Sequence, residues 1–180
     1  MPTAVMYSPE WWVEKLDPKL NSQAAAALKY EQYYDGEQPL YYVAKILEEQ
    51  QDRFPALTIN WCEKFIDWID ARCMVEGFRL TGQDTADDAL WEIWQRNDLD
   101  EDQSENNVAS LVTGISYMMV GPGDDGALIT VESPDSVAVE IDPRSRRVIA
   151  ALKVWKSDPL NALEDMAELW VPGKVVQFVN

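Results

Sequence analysis

The run Val108-Ala109-Ser110-Leu111-Val112-Thr113-Gly114-Ile115-Ser116-Tyr117-Met118-Met119-Val120 changes its periodicity midway. Val108, Leu111, Val112 and Ile115 recur at spacings of three and four, as on one helical face. Tyr117 to Val120 is a short β-prone stretch that runs into Gly121-Pro122-Gly123-Asp124-Asp125-Gly126. The change predicts a helix ending near Gly114 and a hairpin after it. Leu128 to Val131 would be the second strand, with the Asp125-Gly126 step supplying the left-handed residues of the turn.

Downstream, Ser136 to Ile141 alternates Val137, Val139 and Ile141 on one face, and Asp142-Pro143 turns the chain. Val148 to Trp155, Ala167 to Val171 and Lys174 to Val179 read as further strands, the last two split by Pro172-Gly173. Upstream the pattern is helical. Ser8 caps a start, Pro9 suits the first helical position, and Asp17-Pro18 is the expected stop. The alanine-rich stretch Asn21 to Tyr34 then makes a second helix ended by Asp35-Gly36, completing a helical hairpin. Pro39 opens another helix, with Leu40, Val43, Ala44 and Leu47 on one face, broken at Phe54-Pro55. Asn60 to Met74 carries the clearest stripe, Cys62, Phe65, Ile66, Ile69 and Cys73, with Trp61 and Trp68 beside it. Phe78-Arg79-Leu80 can extend, and Thr85 is the expected cap of a short helix bearing Leu90, Trp91 and Trp94. Asp100 and Gln103 stand three apart like a capping box heading the next helix. The expected fold is α+β: residues 1–115 mainly helical, packed with a mainly antiparallel sheet over 116–180. No repeat, low-complexity tract or linker divides residues 1–180, so they read as one unit.

The 180 residues carry 32 acidic and 15 basic side chains, a net charge of -17, and no histidine. Such a charge opposes general attraction to phosphate backbones or anionic lipid. The missing histidine removes Ser-His-Asp and Cys-His catalysis and every histidine metal site. Cys62 and Cys73 stand eleven residues apart in a helical pattern, about 16 Å along the axis and too far to pair within one helix. They are expected as reduced core thiols. The N-terminus shows no basic region followed by an apolar stretch, and no run approaches the roughly 20 apolar residues of a membrane span, so a soluble chain without membrane partners is expected.

Few constellations suggest chemistry. Asp98, Asp100 and Asp102 begin like a calcium loop, but Gln103 and Ala109 occupy the positions of its glycine and bidentate glutamate, so capping and a solvated acidic surface are expected. Asp124 and Asp125 are adjacent in a glycine-rich turn and read as a hairpin tip rather than an acid/base pair. Gly121-Pro122-Gly123 lacks the ending of a phosphate loop. Arg144, Arg146 and Arg147 form the basic cluster of the chain, expected as a solvated turn. Trp61, Trp68, Trp91 and Trp94 lie on helical faces and are expected in core packing.

Several stretches, in order, resemble the N-terminal part of tailed-bacteriophage portal proteins, particularly those of phages infecting actinobacteria. They are Tyr33-Tyr34-Asp35-Gly36-Glu37-Gln38-Pro39-Leu40, Asn60-Trp61-Cys62, Val75-Glu76-Gly77-Phe78-Arg79 and Trp91-Glu92-Ile93-Trp94-Gln95-Arg96-Asn97-Asp98-Leu99-Asp100. The likeness continues through Ala109 to Val120, Val131-Glu132-Ser133-Pro134, Ile141-Asp142-Pro143 and Ala151-Leu152-Lys153-Val154-Trp155. The resemblance implies a wing-like domain of a ring, usually dodecameric, at one capsid vertex, a structural part of the virion assembled in the host cytoplasm. It implies DNA packaging, ejection and head-tail connection. The partners it implies are further copies of itself, terminase, capsid, scaffold and head-tail adaptor proteins, and double-stranded DNA passed without sequence specificity. It implies no catalytic, cofactor-binding or metal-ligating residue, no cofactor and no enzyme activity.

Portal proteins of this type run to several hundred residues, and their stem, clip and crown regions are absent here, so a fragment of the full product, a truncated gene or the ordered portion of a larger product is expected. Two other readings stand beside this one. One is a small carboxylate/metal-dependent enzyme with Asp98, Asp100 and Asp102 as ligands; the other is an acidic adaptor protein.

Overall fold

The computed structural model describes residues 6–38, 60–156 and 165–179. The helix expected from Pro39 to Phe54 lies outside the described residues.

Helix α1 spans Pro9–Asp35, with Ser8 Oγ accepting from Trp11 N at its start and Gly36 at φ 75° closing its end. It is one 27-residue helix, not the expected hairpin, and Pro18 lies inside it. Proline removes one backbone bond and crowds the preceding turn. Here that defect faces solvent, while Trp12 and Leu16 before it and Leu20 and Ala27 after it are buried against neighbouring elements. Tertiary burial outweighs the local stop signal.

Helix α2 spans Trp61–Asp70 from an Asn60 cap, shorter than the expected run to Met74. Phe78 to Leu80 are irregular rather than a strand. Helix α3 spans Asp88–Arg96, and its cap is Asp87, whose Oδ1 accepts from Leu90 N at 3.0 Å, in place of the expected Thr85. Helix α4 spans Leu99–Thr113 and stops at Gly114 at φ 80°. Its head is Asp98 in a left-handed conformation without a side-chain cap bond, so the capping box expected of Asp100 and Gln103 is not formed. Gln103 is instead buried, with Oε1 accepting from Val75 N at 2.9 Å and Nε2 donating to Asp100 O at 3.2 Å.

Strands β1 (Tyr117–Gly123) and β2 (Gly126–Glu132) form the expected hairpin, longer and tighter than the pattern suggested, with Gly123 opposite Gly126. Only Gly126, at φ 124°, supplies positive φ at this turn; Asp125 does not. Strands β3 (Val137–Ile141), β4 (Val148–Lys156), β5 (Asp165–Val171) and β6 (Lys174–Val179) form a second, four-stranded antiparallel meander in chain order. The expected α+β arrangement is therefore present.

Register decides which face meets α1. Ala138 pairs with Leu152, Leu152 with Leu169 and Leu169 with Val176, so these side chains share one face of the meander. Trp12 and Leu16 pack there with Ala150, Leu152 and Leu169 to make the core. The other face carries Val137, Lys153 and Trp170 and meets the β1–β2 hairpin. A Cβ on Gly121 would stand 3.6 Å from the Trp170 ring, and Lys153 Nζ lies 2.6 Å from Glu132 Oε1. Val137 and Ala138 are thus both buried, on opposite faces, whereas Ile141, past the bulge at Glu140, is exposed.

Polar ties fix α1 to its neighbours. Lys15 Nζ and Lys19 Nζ meet the two oxygens of Glu140 at 2.7 and 3.2 Å, and the Lys15 hydrogen bond holds the Glu140 carboxyl below the usual range. Gln23 donates through Nε2 to Val137 O at 2.8 Å and to Pro134 O, and its Oε1 accepts from the Tyr117 hydroxyl at 3.0 Å. One side chain on α1 thereby joins both sheets.

At the far end of α1, Tyr34 donates its hydroxyl to Asp67 Oδ1 of α2 at 2.8 Å. Burial, this hydrogen bond and the charges of Asp67, Glu63 and Asp35 push its phenol from 10.0 up to about 12. The folded chain holds that proton more tightly than the unfolded one, so this contribution to stability is complete below pH 10 and fades between pH 10 and 12. Tyr34→Phe is expected to remove a phenol that ionises near pH 12 from an alkaline absorbance titration and to flatten the fall of stability across that window. An unchanged titration would contradict the contact.

Candidate assembly surfaces

The carboxylates singled out in the sequence do not converge. Asp98 heads α4 in a left-handed conformation, and the carboxylate of Asp100 accepts from Trp94 Nε1 at 2.7 Å and from Gln95 Nε2. Asp100 therefore braces α3 against α4 instead of facing an ion. Among the described residues no three acidic or cysteine side chains are grouped to hold a metal. Asp124 and Asp125 form the two-residue tip of the hairpin. Arg144, Arg146 and Arg147 are exposed on the β3–β4 turn, where Asp142 accepts from Arg144 N and Ser145 N at 3.1 and 3.2 Å and so shapes the turn from within. Those hydrogen bonds, led by the Ser145 hydroxyl, hold the Asp142 carboxyl below its ordinary range.

What the fold builds instead is surface. Among the described residues the α2 stripe expected to find a partner is only partly covered: Ile66 and Ile69 are half-buried, but Trp61 is 76% exposed, and Phe65 and Trp68 are exposed as well. The Arg72 guanidinium lies 3.8 Å from the Trp68 ring centroid. Cys62 and Cys73, expected in the core, are exposed free thiols, because the Cys62 and Phe65 side of α2 faces outward and α2 ends at Asp70 before reaching Cys73. Trp61 and Trp68 likewise depart from the expectation of core packing, whereas Trp91 and Trp94 are half-buried, stacked at 6.4 Å and 12° beside Phe78.

Sequence reasoning missed the residues that join these surfaces to the frame. Asn97, between α3 and α4, donates to Ala127 O at 3.1 Å and accepts from Ile129 N at 2.8 Å, pairing with the β2 edge as a strand would. Glu132, 7% exposed, accepts from Lys153 and from the Thr130 hydroxyl. The partners Ala127 and Lys153 lie 30 and 21 residues away, so no local pattern announces these ties.

Among the described residues no helix is long and apolar enough to cross a membrane. The family model of the phage portal protein, SPP1 Gp6-like, matches residues 13–180. The portal protein of Mycobacterium phage L5 is 29% identical over 153 residues, which are 80% of this chain and 31% of that protein. The portal protein of Mycobacterium phage D29 is 33% identical over 125 residues, 64% of this chain and 26% of its own length. The chain thus spans less than a third of the curated relatives it matches. With the match running from α1 through the last strand, the chain belongs to the SPP1 Gp6-like family of phage portal proteins.

Proposed function

We propose that the chain is a structural component of the portal ring at one vertex of a tailed-phage capsid, serving DNA packaging, ejection and head-tail connection. The observation that carries this reading is the family match over residues 13–180. Residues 1–180 act as one wing-like domain, by shape and self-association and without catalysis of their own. The partners are further copies in a dodecameric ring, capsid, scaffold, terminase and head-tail adaptor proteins, and double-stranded DNA passed without sequence preference. The net charge of -17 suits that last role, since phosphate backbones gain little attraction to such a surface. The protein would be made and assembled in the host cytoplasm and retained in the virion.

Quantitative mass spectrometry of purified particles tests this. Peptides of the chain are expected at a small, constant ratio to the major capsid protein. Their absence from particles that carry a full genome would overturn the reading.

A further inference from the structure

Two surfaces distant in sequence carry opposite charge and matching apolar exposure. The first is an open groove of about 300 Å³ between α3 and the β1–β2 hairpin, lined by Phe78, Leu90, Ile93, Trp94, Met118 and Val120. Val120 is 63% exposed on its wall. Two acids stand at it: Asp87 accepts from the backbone of Leu90, and Asp100 holds the Trp94 indole. Residues 84–105 hold nine acids and a single base, Arg96.

The second surface is the β3–β4 turn. Arg144, Arg146 and Arg147 are exposed, and among the described residues none of them makes an ion pair. Ile141 and Val148 flank the turn at 46% and 53% exposure. An apolar groove with an acidic rim selects a plug that is apolar and basic, and this turn has that chemistry.

We propose that the β3–β4 turn of one copy docks in the α3–hairpin groove of a second copy. Ile141 and Val148 bury against the groove wall while the three guanidinium groups meet the acidic rim and the face of Trp94. Arginine suits an aromatic wall because its planar cation stacks, as Arg72 already does on Trp68 within the chain. Because the two surfaces differ, the contact is heterologous and repeats from copy to copy, closing a ring where the rotation allows. The inference rests on the ring-subunit reading and names which faces meet.

Sedimentation equilibrium of the 180-residue chain tests it with charge reversal. The wild-type chain is expected to self-associate at low salt and to dissociate as salt approaches about 1 M, where the screening length falls to about 3 Å. Reversing the tip (Arg144→Glu, Arg146→Glu, Arg147→Glu) or the rim (Asp87→Lys, Asp100→Lys, with the fold checked by circular dichroism) is expected to weaken association at least tenfold. Mixing the two reversed chains restores it. Val120→Lys, on an open wall where the fold tolerates a charge, blocks it without altering the circular dichroism spectrum. A wild-type chain that stays monomeric at low salt, a tip-reversed chain that associates like wild type, or a mixture that fails to recover each overturns the docking. Virion composition is read separately, so a chain found in particles but indifferent to these substitutions leaves the ring-subunit reading standing.

Discussion

Leu16→Ala lowers the unfolding free energy by about 3–4 kcal/mol, in the range seen when a fully enclosed leucine is cut to alanine. Leu16 has no exposed surface and sits between Trp12 on its own helix and Ala150, Leu152 and Leu169 on the sheet. The sheet side is backed by hydrogen-bonded strands and cannot collapse into the gap, so the lost transfer energy and the cavity add. With a urea slope near 2 kcal/mol/M, the midpoint falls by about 1.5–2 M. Leu28→Ala on the same helix, at a site 57% exposed, serves as the control and changes stability by no more than about 0.5 kcal/mol. Equal effects at the two positions would mean that α1 does not lie on the meander through its Leu16 face.

The second large effect is Glu132→Ala, with an expected loss of about 3 kcal/mol. Removing the carboxylate leaves the Lys153 ammonium, 2.6 Å away and only a quarter exposed, without its counter-charge, and frees the Thr130 hydroxyl as well. The interaction also joins the two sheets, so its loss loosens the hairpin from the meander. Replacing both partners, Glu132→Leu with Lys153→Met, is expected to recover most of the loss, since no buried charge then remains. Urea unfolding of the two variants side by side reads the comparison. A double variant as unstable as the single would show that the ion pair contributes net stability beyond avoiding an orphaned charge.

Much of the fold was legible because its punctuation is local. Ser8, Gly36, Asn60 and Gly114 each act within one turn of their own position, and each begins or ends a helix as its chemistry dictates. The strands after Gly114 followed from alternation and from turn residues in the same way. Pro18 misled because the forces that keep α1 whole come from strands more than a hundred residues later. The same separation hid Gln23, whose partners Tyr117, Pro134 and Val137 have no sequence relation to it. The surfaces were half legible. The apolar stripe of α2 and the arginine turn are plain in sequence, but periodicity marks a face as apolar without saying whether anything covers it. Tryptophans and cysteines expected inside were therefore found outside.

The continuity of α1 through Pro18 has a mechanical consequence. At 27 residues it is a rod of about 40 Å, seated near one end on the meander through Leu16 and tied at the other to α2 through Tyr34 and Asp67. A tilt of a few degrees about the seated end swings the far end by about 2 Å over that length. A hinge at Pro18 would have absorbed such a displacement; an unbroken lever delivers it.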